Sequence, residues 1–158
     1  MYNNQRKQGR NRNMNQKTTE ELTHEIKSAT DIDDYLSANS NHMLTASLSE
    51  YLNTLLLQKK IRKADVIRGS LLSRAYVYKI FAGEKIPSRD KLIALAFGLG
   101  LSDSETQKML KLSGNQELYA RNKRDALILF ALQKNKSILE INELLYDHQF
   151  TILNTAKE

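Results

Sequence analysis

The chain has 158 residues, no cysteine, one proline, six glycines and a formal net charge of +6. That length fits one domain with a real hydrophobic core, or a small domain plus an extension, and argues against two large independent domains. Absence of cysteine excludes a disulfide framework, thiol chemistry and Cys-ligated zinc, while no apolar run approaches the ~18 residues of a membrane span and no apolar core of a signal peptide follows the basic N-terminus.

Leu, Lys, Glu, Ala and Asn are abundant, and β-branched runs are scarce. The expectation is a soluble, cytoplasmic, all-α protein. Charge is unevenly placed. Residues 1–17 hold five basic side chains and no acid, and Thr18 to Leu36 holds six acids against Lys27. Ser47 to Leu101 holds ten basic residues and four acids, and Ser102 to Glu158 holds eight of each. The excess therefore belongs to the middle segment, as expected for a protein that meets a phosphate backbone.

In chain order, residues 1–17 read as a disordered basic tail of Asn, Gln, Arg and Lys, too poor in apolar groups to offset the entropy of ordering. Thr18 to Leu36 reads as one acidic helix, opened by the capping box Thr18 and Glu21, with Leu22, Ile26 and Ala29 on one face. Ser37 to Ser47 reads as a linker. A second capping box, Ser47 and Glu50, starts a helix with the stripe Leu48, Leu52, Leu55 and Leu56. A shorter helix spans Arg62 to Gly69, with Val66 and Ile67 inward.

Ser73 caps the next helix, which Gly83 stops; Val77, Ile80 and Phe81 face the core and leave Arg74, Ala75, Tyr78 and Lys79 on the other side. Asp90 to Gly100 follows, with Leu92, Ile93, Leu95, Ala96 and Leu99 inward. Ser102 with Glu105 caps a fifth helix that ends at Gly114. Two more helices are expected at Arg121 to Asn135 and Ser137 to His148. Ala126 to Leu132 is apolar throughout, so that helix needs cover on more than one side, from the bundle or from a second subunit.

The run from Lys60 to Ser102, KIRKADVIRGSLLSRAYVYKIFAGEKIPSRDKLIALAFGLGLS, resembles the lambda repressor and Cro-like (Xre-type) helix-turn-helix domain without a gap. Ile61, Val66, Val77, Ile80, Gly83, Pro87, Leu92, Leu95, Ala96 and Leu99 fall on its pattern. Including the preceding helix, the likeness covers about 55 residues. Three positions depart: Leu71 stands where the family often has the tight-turn Gly, Ile67 where it has a small residue, and Lys63 where it has a phosphate-binding Gln. The turn must then be made differently or carry strain, and Ile67 either spreads the helices or fills a gap left by a partner.

The resemblance implies a compact helix-turn-helix bundle of about five short helices with an N-terminal helix and a C-terminal helical extension. Its segments are the tail 1–17, an N-terminal helix and linker 18–46, the helix-turn-helix domain 47–114 and a C-terminal pair 115–158. A recognition helix of about Ser73 to Ala82 would lie in the major groove of double-stranded DNA. Ser73, Arg74, Ala75, Tyr76 and Tyr78 are the implied base contacts, and Lys63, Lys79, Lys85 and Arg89 the implied phosphate contacts, with Lys91 beside them. Two readings stay open for Tyr76, a thymine contact or a core group beneath the turn, and a charged helical face can also be merely solvated. Asp90 reads as a helix-dipole partner.

His24, His42 and His148 have no ligand-like spacing, and no catalytic triad, P-loop or dinucleotide fingerprint occurs. No enzyme activity, metal or cofactor is expected. The expected function is a sequence-specific DNA-binding regulator, repressor-like and homodimeric. Leu127, Leu129, Phe130, Leu132, Leu144, Leu145 and Phe150 are the candidate dimer interface, or else finish the core of one chain. The alternative is a protein-interaction module or antitoxin-like protein that holds a partner through the acidic N-terminal helix or the C-terminal helices.

Overall fold

Short-range capping sets where most helices begin. The structure is a computed structural model, described here for residues 17–40 and 47–153. Those residues form nine α-helices and no strand. The expected tail apart from Lys17, most of the expected linker and the last five residues lie outside the described residues. The chain divides into two compact units, Met1–Thr45 and Ala46–Glu158.

In the first unit, the expected single helix is two. Thr18 Oγ accepts from the Glu21 N–H and Glu21 accepts in return from the Thr18 N–H, which starts α1 at Thr19–Ser28. Ala29 is extended, and the Asp31 carboxylate accepts from the N–H groups of Asp33 and Asp34 to start α2, Ile32–Ala38. A short side chain that satisfies the backbone locally competes with helix continuation, and here it wins. Ile26 and Ala29 are accordingly exposed, not inward, and Tyr35 is the buried apolar side chain of α2. Buried Asn39 ties the two helices together by donating to Glu25 and to the Tyr35 carbonyl and accepting from Lys17.

The second unit comprises α3 (Leu48–Lys59), α4 (Lys63–Ser70), α5 (Arg74–Phe81), α6 (Arg89–Leu99), α7 (Asp103–Leu112), α8 (Lys123–Gln133) and α9 (Ile138–Asp147). Reciprocal capping boxes at Ser47 with Glu50, Ser102 with Glu105 and Ser137 with Glu140 start α3, α7 and α9. The central helix is α6, packed on α4, α7 and α9. Leu92, Ile93, Ala94, Leu95, Ala96 and Leu99 are all fully buried. Thus α6 is the helix enclosed on every side, whereas α8, expected to be so from its apolar run, leaves Phe130 46% exposed.

The closest helix contact is made where side chains are absent. A Cβ on Gly69 would stand 2.9 Å from the Gly98 Cα, and one on Gly98 would stand 2.7 Å from the Val66 carbonyl oxygen. Two glycines facing each other let the α4 and α6 backbones touch, so half-buried Ile67 packs on the core without spreading the helices.

Helices α8 and α9, with Leu118 before them and Leu153 after, continue the same hydrophobic core through Ile128, Ala131, Leu132, Ile138, Ile141 and Leu145. Of the seven residues that suit either a dimer interface or the core of one chain, all but Phe130 pack in or against that core. Leu132 and Leu145 are buried within the chain, and Leu127, Leu129, Leu144 and Phe150 are half-buried against its core. Two Arg-Asp pairs, each in the first turn of its helix, cross-link this extension to α6. Arg89 forks onto Asp125 at 2.9 and 3.2 Å, and Arg124 forks onto Asp90 at 3.0 and 3.1 Å. Asp90 is therefore an ion-pair partner, beyond its expected part in the helix dipole. No helix among the described residues is long and apolar enough to cross a membrane.

Candidate nucleic-acid interface

Three residues, Leu71 to Ser73, connect α4 to α5. Leu71 takes the left-handed conformation, φ 60° and ψ 14°, that a glycine would adopt without strain. Ser70 Oγ holds the turn by accepting from the Leu72 N–H, and Leu72 is buried. Leu71 itself is 44% exposed, so it gains little from burial. Leu71→Gly is expected to raise stability by about 1 kcal/mol, read as a higher urea midpoint at unchanged slope; a lower midpoint would show that the turn is not strained.

Ser73 Oγ accepts from the Tyr76 N–H and starts α5. Tyr76, Val77, Ile80 and Phe81 point into the core, and Asn53 of α3 donates to the Phe81 carbonyl, which fixes the far end. Beyond that end Gly83 turns at φ 79°, where a Cβ would come 3.0 Å from Ser49 Oγ. With one face and both ends anchored, α5 presents Arg74, Ala75, Tyr78 and Lys79 outward, and Ser73 is exposed at its start.

The outward face is basic and aromatic. Tyr78, 42% exposed, has the Lys63 ammonium 4.9 Å and the Arg74 guanidinium 5.3 Å from its ring centroid. Such contacts hold flexible cations in place while leaving their charge intact. Arg62 and Arg68, on the same stretch of chain, share the one carboxylate of Asp65. Hydrogen bonds from the Arg62 backbone N–H and from the Arg62 and Arg68 side chains hold the Asp65 carboxyl below its ordinary pKa. Among the described residues no carboxylate pairs with Lys63, Arg74 or Lys79.

Two of the expected contact residues are placed elsewhere. Tyr76 is only 4% exposed and closes the core, so it has no edge to offer a base. Arg89 is engaged by Asp125 and by the carbonyls of Gln116 and Glu117, to which it donates four hydrogen bonds. Lys85 remains exposed. Lys91, whose ammonium lies 4.5 Å from the Tyr76 centroid, joins Lys85 at 4.8 Å from the same ring. Lys91 on α6 and Tyr76 on α5 lie fifteen residues apart, so no local spacing in the sequence pairs them.

Among the described residues no group of three or more His, Asp or Glu side chains is arranged to hold a metal ion. A depression of about 610 Å³ lies at the α6–α8 junction and is lined by Arg89, Gln116, Arg121, Lys123, Arg124 and Phe150, none of them on α5. No family model, curated protein or solved structure matches the chain.

Proposed function

We propose that this chain is a sequence-specific double-stranded DNA-binding regulator of transcription, repressor-like and cytoplasmic, built on a helix-turn-helix of α4 and α5. The observation that carries the reading is the outward row of Arg74, Ala75, Tyr78 and Lys79 on a helix whose opposite face and both ends are locked in the core. A rigid helix with a convex basic face suits the major groove, where Arg74 can fork onto guanine and Ala75 can pack on a thymine methyl. Lys63 and Lys79 would neutralise phosphates. Two copies on adjacent half-sites would supply affinity that one short helix lacks. On the C-terminal pair, exposed Phe130, Leu139 and Tyr146 are the apolar groups left for such a pairing.

Fluorescent duplexes, one carrying the promoter region of the protein's own gene and one random, titrated at several salt concentrations, test this reading. Arg74→Ala is expected to reduce discrimination between duplexes by about 1–3 kcal/mol. Lys79→Ala is expected to weaken binding to all duplexes alike and to flatten the salt slope by about one. Equal binding of both variants and the parent to every duplex would overturn the assignment of this face.

A second reading is favoured by the first unit, where Ile26, Ile32 and Leu36 are exposed on a segment rich in acids. Such a surface suits a protein partner with basic and apolar groups. Weak, equal binding to both duplexes would move the function to that partner, with the helix-turn-helix as scaffold.

A further inference from the structure

We propose that Tyr76 is a positioning residue whose buried ring gathers Lys85 and Lys91 into one two-cation site for the backbone phosphates of the duplex; this rests on the DNA reading above. Lys85 comes from the link between α5 and α6, and Lys91 from the first turn of α6. Their ammonium groups lie 4.8 and 4.5 Å from a single ring centroid. They can therefore be no farther apart than those two distances end to end. Like charges so close repel one another. The electron-rich face of the ring offsets part of that repulsion without discharging either cation.

Among the described residues Glu84, beside Lys85 in sequence, makes no ion pair, and the other two nearby carboxylates are taken. Asp90, adjacent in sequence to Lys91, is forked onto Arg124, and Asp125 is forked onto Arg89. Among the described residues no ion pair involves Lys85 or Lys91. Of the three basic residues at 85, 89 and 91, the one without the ring is neutralised and the two on the ring are left positive. A pair of cations held together, uncompensated and half in solvent, is completed by an anion with more than one charge within reach. Successive phosphates of one DNA strand have that form.

The placement of the ring adds a reason for it to be Tyr76. Its N–H is the one that Ser73 Oγ caps, so the phosphate grip and the start of the reading helix are fixed at one residue. Contacts to phosphate set register for the groups that read bases. In this chain, the register of Arg74 and Ala75 would be set by two lysines standing on the helix's own first turn.

The test is a double-mutant cycle read by duplex binding at several salt concentrations, on the full chain. Lys85→Ala with Lys91→Ala is expected to flatten the salt slope by about two. Tyr76→Phe, which keeps the ring, is expected to bind like the parent. Tyr76→Leu is expected to weaken binding by about fivefold or more, with the lysine pair then costing less than it costs in the parent. A merely structural tyrosine would leave the lysine effects additive with Tyr76→Leu, and additivity overturns the proposal.

A second measurement does not depend on the folding of the leucine variant. In the parent, NMR should show the ε-methylene protons of Lys85 and Lys91 shifted upfield by the ring, and random-coil positions for both would overturn the gathering. If the lysine pair leaves the slope unchanged while Arg74→Ala still loses selectivity, the DNA reading stands and this proposal falls. If the parent shows no salt-dependent duplex binding at all, both fall together.

Discussion

Gly98→Ala is expected to destabilise the second unit by about 3 kcal/mol, although the same change in an exposed helix interior would stabilise by about 1 kcal/mol through helix propensity. The two effects have opposite sign, and geometry decides between them. The new Cβ would stand 2.7 Å from the Val66 carbonyl oxygen and 3.0 Å from the Ser70 backbone nitrogen. Both neighbours are backbone atoms of α4, so no side chain can rotate away. Relief requires α4 to move off α6, whose Leu92 to Ala96 and Leu99 form the buried centre of the unit. Because α4 leads directly into the turn that starts α5, that movement would also tilt the proposed reading face. Thermal unfolding should show a fall in Tm on the order of 10 °C or more. An unchanged or raised Tm would mean that the helices do not approach as closely as their glycines allow.

What could be read in advance divides by the range of the interaction. The boxes at Ser47, Ser102 and Ser137 and the cap at Ser73 join residues three apart, so residue types and spacing suffice to find them. Val77, Ile80 and Phe81 of α5 and Leu92, Ile93, Leu95, Ala96 and Leu99 of α6 follow from helical period alone. The break at Asp31 is not legible because an Asp at that place suits an exposed helix interior or a cap, and the five other acids of the segment make one acidic helix the simpler pattern. Periodicity also could not say which of two strongly apolar helices is enclosed. The small residues Ala94, Ala96 and Gly98 in α6 were the available sign, since close backbone approach needs them, while α8 carries Phe130 toward solvent.

For the candidate site the same division holds. The outward row of α5 was legible, because Val77, Ile80 and Phe81 fix the inward direction. Tyr76 lies at the border of that arc, and only the folded arrangement, with Lys85 and Lys91 over its ring, places it inside. Arg89 was assigned to phosphate because its partner Asp125 lies 36 residues away, in a segment with no local link to it.

Asp125→Ala is expected to cost about 3–5 kcal/mol, the largest loss from any single charged side chain in the second unit. Asp125 is 6% exposed, accepts two bonds from Arg89 at 2.9 and 3.2 Å, and also accepts from the Tyr119 N–H at 2.9 Å. Its removal would leave a guanidinium, three-quarters withdrawn from water, with only the Gln116 and Glu117 carbonyls as partners, and a backbone N–H with none of its former acceptor. The cost is therefore that of an uncompensated charge, not the net worth of the pair. Asp90→Ala provides the contrast: the Asp90 carboxylate is itself 37% exposed, but its loss leaves Arg124, 19% exposed, with the Thr151 carbonyl, so a smaller loss of about 2 kcal/mol is expected. Urea unfolding of both variants at neutral pH orders the two losses. Arg89→Ala then separates structure from recognition. If Arg89 serves only Asp125 and the 116–117 carbonyls, the variant loses stability while duplex binding by its folded fraction keeps the parent's salt slope. A slope flattened by about one would instead return Arg89 to the phosphate contacts and mean that the Asp125 pair opens when the duplex is bound.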